Sequence, residues 1–283
     1  MQRSQRTILR DYDIRPVKRR GQNFLVDGNL ARSIAHDTLE LGPRVLELGA
    51  GAGALTTHLL PTAEMVVCVE VDRNLCALLI GEHGELPNFR LIEADLAKLD
   101  WQATVAEVGG KPVIAGNLPY VLTSKVLFAL AELRAVTSGA VFMVQKEVAE
   151  RMIATPGGKD FGILAVVLGS VFDIKLVRTV PASVFWPKPD VASAIVRLVP
   201  RVFGDEKSWD DEEFAIFTAT VKTLFGQRRK KLRNQLRHHY NLGTDEVDAL
   251  AERLGIDIER RPEQCSGADF RSLAAALAQR GPA

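Results

Sequence analysis

Three stretches of the chain carry residue types that chemistry needs. Glu47-Leu48-Gly49-Ala50-Gly51-Ala52-Gly53 closes a short apolar run that begins at Arg44. Glycines there let a backbone turn sharply and approach a ligand closely. Glu70 ends the next apolar run, at the spacing of about 20 residues where an acid accepts ribose hydroxyls. Asp95 ends the third run and falls on the same edge if the runs are parallel strands. Open parallel sheets bind ligands at that carboxyl edge, and a nucleoside cofactor fits all three features.

The glycines alone do not choose the cofactor. Gly49-x-Gly51-x-x-Ala54 also satisfies a dinucleotide fingerprint, and a plain turn packing helix on strand looks similar. Three features favour S-adenosylmethionine. Glu47 stands two residues before the first glycine, where it could hold the ammonium of the methionine part or order the loop. Asp95 is placed to accept a hydrogen bond from the adenine amino group. No second nucleotide-binding half follows the fifth apolar run.

The second stretch, Asn117-Leu118-Pro119-Tyr120, follows the fourth run. Its chemistry suits an amino group on an aromatic ring. Adenine N6 is a poor nucleophile because its lone pair is delocalised into the purine. The Asn117 carbonyl and a backbone carbonyl near Leu118 could accept both N–H protons and favour a more tetrahedral nitrogen. Pro119 stiffens the turn and restricts Leu118 to an extended conformation. Tyr120 could stack on the base. Such a site works by positioning and oriented dipoles, with no metal. A base inside a helix must first be extruded into it. The third stretch, Phe185-Trp186-Pro187-Lys188-Pro189, could supply the opposite wall, with Phe185 as the stacking ring. A proline-stiffened surface loop over a buried aromatic is the alternative.

Positioning these groups requires a layered fold. Residues 22–41 read as a helix, with Leu25, Leu30, Ile34 and Leu41 on one face. Strands are expected at 44–48, 65–69, 89–93, 112–115 and 140–144, with helices near 54–60, 73–80 and 124–131. Alternation of this kind implies a parallel sheet covered on both faces. Ile174 to Val180 and Ala194 to Val199 could add edge strands. Beyond a polar stretch from Pro200 to Asp211 the pattern is helical, with a stripe from Phe214 to Leu236 interrupted at Gly226 and helices at 247–254 and 270–277. The expected class is α/β: a Rossmann-like class I methyltransferase sheet with a smaller C-terminal all-helical domain. Its expected parts are a basic arm at 1–20, a catalytic domain at 21–203 and a helical domain at 204–283, which the family resemblance given below implies docks RNA.

Composition sets the outer bounds. Of 283 residues, 47% are hydrophobic and 25% charged, enough to bury a core and inconsistent with disorder, collagen or coiled coil. No apolar run approaches the ~20 residues of a membrane span, and the first residues lack a signal-peptide core. Cys68, Cys76 and Cys265 are too scattered for a disulfide framework, so a cytoplasmic setting is expected. The five histidines show no ligand spacing, and no metal is expected. Net charge is only +1, but two basic clusters stand out: residues 1–20, and 222–239 with Lys222, Arg228, Arg229, Lys230 and Arg233. Both fit polyanion contact, or a solvated helix face and a frayed terminus.

Gly21-Gln22-Asn23-Phe24-Leu25, the glycine loop through Thr56, Asn117 to Tyr120, Val144 to Ala149, Phe185 to Ser193 and Gln227 to Leu232 together resemble the KsgA family. These are small-subunit ribosomal RNA adenine N6,N6-dimethyltransferases. The resemblance runs from about residue 18 to the C-terminus. It implies S-adenosylmethionine as cofactor, two adjacent adenosines near the 3′ end of the small-subunit RNA as substrate, and the assembling small ribosomal subunit as partner. Carried over by position, Gln22, Asn23 and Leu25 would close over the cofactor. Gly49 and Gly51 would approach its methionine part, Glu70 its ribose, and Asp95 with Leu96 its adenine. Asn117 would serve cofactor and target amine together, and Arg228, Arg229, Lys230 and Arg233 would contact phosphate.

Two positions depart from the pattern: Val121 where the family usually has Asn, and Lys125 where Pro is common. The first ~17 residues match nothing in it, and their arginines suggest a disordered RNA-contacting arm or plain disorder. A monomer is expected. The rival readings are a large-subunit adenine methyltransferase of the macrolide-resistance type, an assembly factor acting by binding alone, and a dehydrogenase.

Overall fold

The computed structural model describes residues 3–16, 22–202 and 208–279. Lys18, Arg19, Arg20 and Gly21, and the domain boundary expected at 203–204, lie outside them. Two compact units emerge: one of Met1–Ala149 with Phe172–Pro200, the other of Glu150–Val171 with Arg201–Ala283. The second unit thus takes in residues 150–171, which the sequence pattern assigned to the catalytic domain.

The first unit opens with helix α1 (Gln5–Asp11), then β1 (Phe24–Leu25), α2 (Gly28–Leu39), β2 (Arg44–Leu48), α3 (Thr56–Leu59) and β3 (Met65–Glu70). It continues through α4 (Arg73–His83), β4 (Phe89–Glu93), α5 (Trp101–Val108), β5 (Val113–Asn117), α6 (Thr123–Glu132) and β6 (Gly139–Gln145). Helix α7 (Lys146–Met152) leads into the second unit, which holds α8 (Ile163–Gly169). The chain then adds β7 (Phe172–Val180), β8 (Phe185–Trp186) and β9 (Ser193–Pro200) to the first unit. Helices α9 (Asp211–Phe225), α10 (Leu232–His239), α11 (Thr244–Leu254) and α12 (Gly267–Ala278) complete the second.

Among the described residues the main sheet has the order β4-β3-β2-β5-β6-β9-β7. The pairs from β4 to β6 are parallel, while β9 runs antiparallel to both neighbours. Val45, Leu46, Leu48 and Val66 to Val69 are wholly buried, as strands covered on both faces require. Chain order reverses between β2 and β5, which leaves a crevice at their carboxyl ends. Aspartates start the covering helices: Asp27, Asp72 and Asp100 each accept a backbone N–H of the first turn, at 2.9, 3.0 and 3.0 Å.

Two expectations need correction. Residues 22–41 are not one helix. Asp27 caps α2, and Phe24–Leu25 ahead of it pair antiparallel with Trp186 and Phe185. Nor is the amino-terminal arm disordered over its described part, residues 3–16. Ser4 caps α1, whose apolar face carries Ile8 and Leu9. With Ile14 they join a buried cluster with Phe24, Ala52, Leu75 and Leu78. Arg3 and Tyr12 both donate to Glu82 on α4, at 2.6 and 2.9 Å. The arginine count hid three well-spaced apolar residues.

The second unit packs around Phe217, Val221, Leu224, Leu232, Leu236 and Phe270, all buried. Asp210 caps α9, and three acids fill its first turn. Residues 150–171 belong here for a physical reason. Phe161 packs edge-on against Phe225, and the Trp209 indole donates to the Ser170 carbonyl at 3.2 Å.

Candidate active site

A cavity opens in the first unit at the crevice between β2 and β5. Gly49 and Gly51 lie in the left-handed region, at φ 68° and 57°, so the loop after β2 turns without a side chain. A Cβ on Gly49 would stand 3.9 Å from the Pro119 ring, and one on Gly51 would stand 3.5 Å from the Phe24 ring. The glycine loop therefore abuts both the Asn117–Tyr120 element and the segment around β1.

The two acids sit where expected, with added duties. Glu70 accepts the Gly51 N–H at 2.9 Å through one carboxylate oxygen and the N–H groups of Val71 and Asp72 through the other. It holds the loop in shape while lining the cavity. Asp95 accepts the Ala97 N–H at 2.8 Å through Oδ1, leaving Oδ2 for a ligand donor, and Leu96 beside it is an apolar wall. Gln22, Asn23 and Leu25 line the same cavity, and Gln22 is tied to Asp72 at 3.2 Å.

Glu47 is 2% exposed. The Thr56 hydroxyl donates to its Oε2 at 2.6 Å, and the Cys68 thiol points at the same oxygen from 3.5 Å. Burial lifts its carboxyl from an ordinary 4.5 to about 7, against the pull of those hydrogen bonds. Cys68 is driven well above the ordinary thiol range, first by burial and then by the Glu47 charge.

Asn117 ends β5. Its amide nitrogen donates to the Asn23 carbonyl at 3.0 Å, which fixes the flip of the amide and leaves Oδ1 as acceptor. The Leu118 N–H donates to the Met143 carbonyl at 3.1 Å. Pro119 opens a short 3₁₀ turn over Tyr120–Leu122. The Tyr120 hydroxyl lies 3.3 Å from that of Ser193, buried at the start of β9. Ser193, a little beyond the third sequence stretch, thus ties that part of the chain to the second.

Phe185 does not stand where the sequence reading put it. It is 3% exposed and packs in the core with Leu25, Val180 and Ile195, behind the cavity lining rather than in it. Its β8 neighbour alternates to the other face. Trp186 is 37% exposed and stacks on Phe24 with ring centres 6.5 Å apart. The departures also find places. Val121 is 86% exposed beside Tyr120, and the Lys125 ammonium binds the Ala97 carbonyl, pinning α6 to the Asp95 loop.

The basic cluster of the second unit divides. Arg228 bonds Glu263 and the Lys159 carbonyl, while Arg233 bonds Glu259 at 2.6 Å and Asp248 at 2.8 Å. Both arginines therefore have partners within the unit, which the expectation of phosphate contacts did not include. Lys222, Arg229 and Lys230 are exposed.

One residue the sequence reading passed over is Gly116. A Cβ there would stand 2.4 Å from the Leu48 carbonyl oxygen, so β2 and β5 meet closely only because it is glycine. Gly116→Ala is expected to cost about 2 kcal/mol of stability, read from denaturant midpoints, because rigid backbone cannot yield. A position just before Asn117 on a central strand was the available signal.

The donors and acceptors around this cavity fit a nucleoside with an amino-acid tail. Gly51 leaves room that a Cβ would fill, and carboxylates stand at two separate points. No group of three potential metal ligands occurs among the described residues, and no helix among them is long and apolar enough to cross a membrane.

A family model described as ribosomal RNA adenine dimethylase matches residues 16–279. A protein of Anaeromyxobacter sp. named ribosomal RNA small subunit methyltransferase A is 40% identical over 279 residues, 95% of this chain and 96% of the relative. One of the same name from Geobacillus kaustophilus is 38% identical over 280 residues, 96% and 94% of the two chains. Among solved structures, a dimethyladenosine transferase from Plasmodium falciparum superposes with a TM-score of 0.72 at 25% identity, covering 89% of this chain and 96% of that one. The 23S rRNA methyltransferase ErmE gives 0.66 at 25% identity, covering 91% and 100%. With cavity, glycine loop and Asn117 element in one unit, the chain belongs to the ribosomal RNA adenine dimethylase family.

Proposed function

We propose that the chain methylates N6 of two adjacent adenosines near the 3′ end of small-subunit (16S) ribosomal RNA, giving N6,N6-dimethyladenosine late in subunit assembly. The observation that carries it is the Asn117 amide. Its nitrogen is committed to Asn23, which leaves its oxygen as an acceptor, and it adjoins a glycine loop and two acids suited to a nucleoside cofactor.

S-adenosylmethionine would supply an electrophilic methyl on its sulfonium sulfur. Gly49 and Gly51 would receive its methionine part, Glu70 its ribose, and Asp95 with Leu96 its adenine; Gln22, Asn23 and Leu25 would cover it. At the target, Asn117 Oδ1 and the backbone near Leu118 accept the N6 protons and turn the nitrogen lone pair toward the donor. Pro119 keeps that backbone in place, and Tyr120, held at Ser193, offers a ring face to the base. Rate arises from orientation and fixed dipoles acting on a weak nucleophile. Trp186, as the exposed aromatic of β8, takes the place of Phe185 as the candidate for further base contact.

The partner would be the small ribosomal subunit, met by a monomer in the cytoplasm. Of the basic residues, the exposed Arg229, Lys230 and Lys222 are the first candidates for phosphate contact. Replacing Arg229 and Lys230 together with Ala should weaken subunit binding, flatten its salt dependence by roughly two counterions and leave the melting temperature unchanged. Arg228→Ala should instead lower the melting temperature. An unaltered salt slope for the double variant would remove both residues from the RNA surface.

A second reading, methylation of large-subunit RNA, rests on the likeness to ErmE. Labelled methyl transfer into undermethylated small and large subunits in one reaction separates the two. Label in the small subunit alone is expected. Label in the large subunit would establish the second reading, and binding of immature subunits without label would favour an assembly factor.

A further inference from the structure

The amino-terminal helix reaches further than its packing requires. Ile8 and Leu9 of α1 are buried against Ala52 and Leu75. Gln5 precedes them by three and four positions, so it shares their face. Ala52 and Leu75 also line the cavity, and so does Gln5. Gly51, Ala52, Glu70, Val71 and Leu75 line the cavity with it.

Gln5 Oε1 is sealed from solvent and has no hydrogen-bond partner among the described residues. An orphaned buried acceptor is destabilising relative to a satisfied one. Native structures keep such groups where something else completes them. The helix itself is anchored well enough to hold the amide there. Arg3 and Tyr12 bind Glu82, and Gly81 leaves space for the Tyr12 hydroxyl, which a Cβ would meet at 2.7 Å. The terminal torsion of a glutamine is broad, so Oε1 can turn toward a donor entering the cavity at little cost.

We propose that Gln5 is a cofactor-binding residue, whose Oε1 accepts a hydrogen bond from a ribose hydroxyl of the S-adenosyl cofactor. A hydroxyl is the right partner because Glu70, lining the same cavity, is suited to accept from the neighbouring hydroxyl. The inference rests on the cofactor reading above. It gives the first helix a part in the site rather than a purely structural one.

The test is calorimetric titration of the full chain with S-adenosylhomocysteine and with its 2′-deoxy and 3′-deoxy forms. Gln5→Met keeps the length of the side chain and removes the acceptor; Gln5→Ala removes both. Each should bind S-adenosylhomocysteine about 3- to 10-fold more weakly than the parent. The gap should vanish for one of the two deoxy ligands. The melting temperature of unliganded Gln5→Met should be no lower than the parent's, since it loses only an unpaired group. Unchanged affinity in both variants, or equal loss for all three ligands, would overturn the proposal and leave the cofactor reading standing. A parent chain that does not bind S-adenosylhomocysteine would overturn that reading and the proposal with it.

Discussion

Asn117→Ala is expected to lower the rate of methyl transfer by 100- to 1000-fold while leaving S-adenosylhomocysteine affinity within a few-fold. Loss of one preorganised dipole at a reacting centre typically costs that much. Two things go with the side chain. Its carbonyl no longer accepts the amine proton, so the lone pair stays delocalised into the ring. Its amide nitrogen no longer holds the Asn23 carbonyl, so the segment over the cavity loosens. Asn117→Asp separates the two effects. It keeps acceptors at the amine but sets a carboxylate against the Asn23 carbonyl, so cofactor affinity should fall further than in Asn117→Ala. Equal rates for parent and Asn117→Ala under single turnover would remove Asn117 from the chemistry.

Glu47→Gln is expected to stabilise the chain at pH 8. Burial holds the Glu47 carboxyl at about 7, so the folded chain keeps a proton that the unfolded chain sheds near 4.5. Stability then falls as pH rises from about 4.5 to 7 and levels off above. The shift corresponds to about 3 kcal/mol at pH 8, a penalty that Gln avoids. Parent and variant should converge near pH 4, as measured by denaturant midpoints across that range. Identical pH profiles would show that Glu47 pays no burial cost. A ligand ammonium beside Glu47 would pull its carboxyl back down and release a proton. Binding heats at pH 6.5 in buffers of different ionisation enthalpy should therefore diverge for the parent and coincide for Glu47→Gln.

Much of this was legible in the sequence, because the relevant residues act through local rules. Glycines at a strand end and acids at the ends of the next two strands report positions that backbone geometry fixes. The Asn117 element was legible for the same reason: proline and a strand end leave its direction little freedom. What escaped the sequence depends on contacts far along the chain. Phe24 and Leu25 look like a helix start until Phe185 and Trp186 pair with them. Phe185 looks like a stacking ring until alternation along two residues turns it inward and Trp186 outward. Arg228 and Arg233 read as free charges because Glu263 and Glu259 lie 26 to 35 residues away. Residues 150–171 join the second unit through Phe161 and Ser170, which no local period announces. Helix α1 was missed because charge was weighed and its apolar spacing was not.

The measurement that bears most directly on the site is the identity of the methylated nucleoside. Small subunits lacking the modification would be incubated with the chain and labelled S-adenosylmethionine, and their RNA digested to nucleosides. The geometry at Asn117 predicts label in N6,N6-dimethyladenosine, with N6-methyladenosine as its precursor and both formed 100- to 1000-fold more slowly by Asn117→Ala. Label in a ribose-methylated nucleoside, or on a base other than adenine, would contradict the assignment of Asn117 to an exocyclic adenine amine.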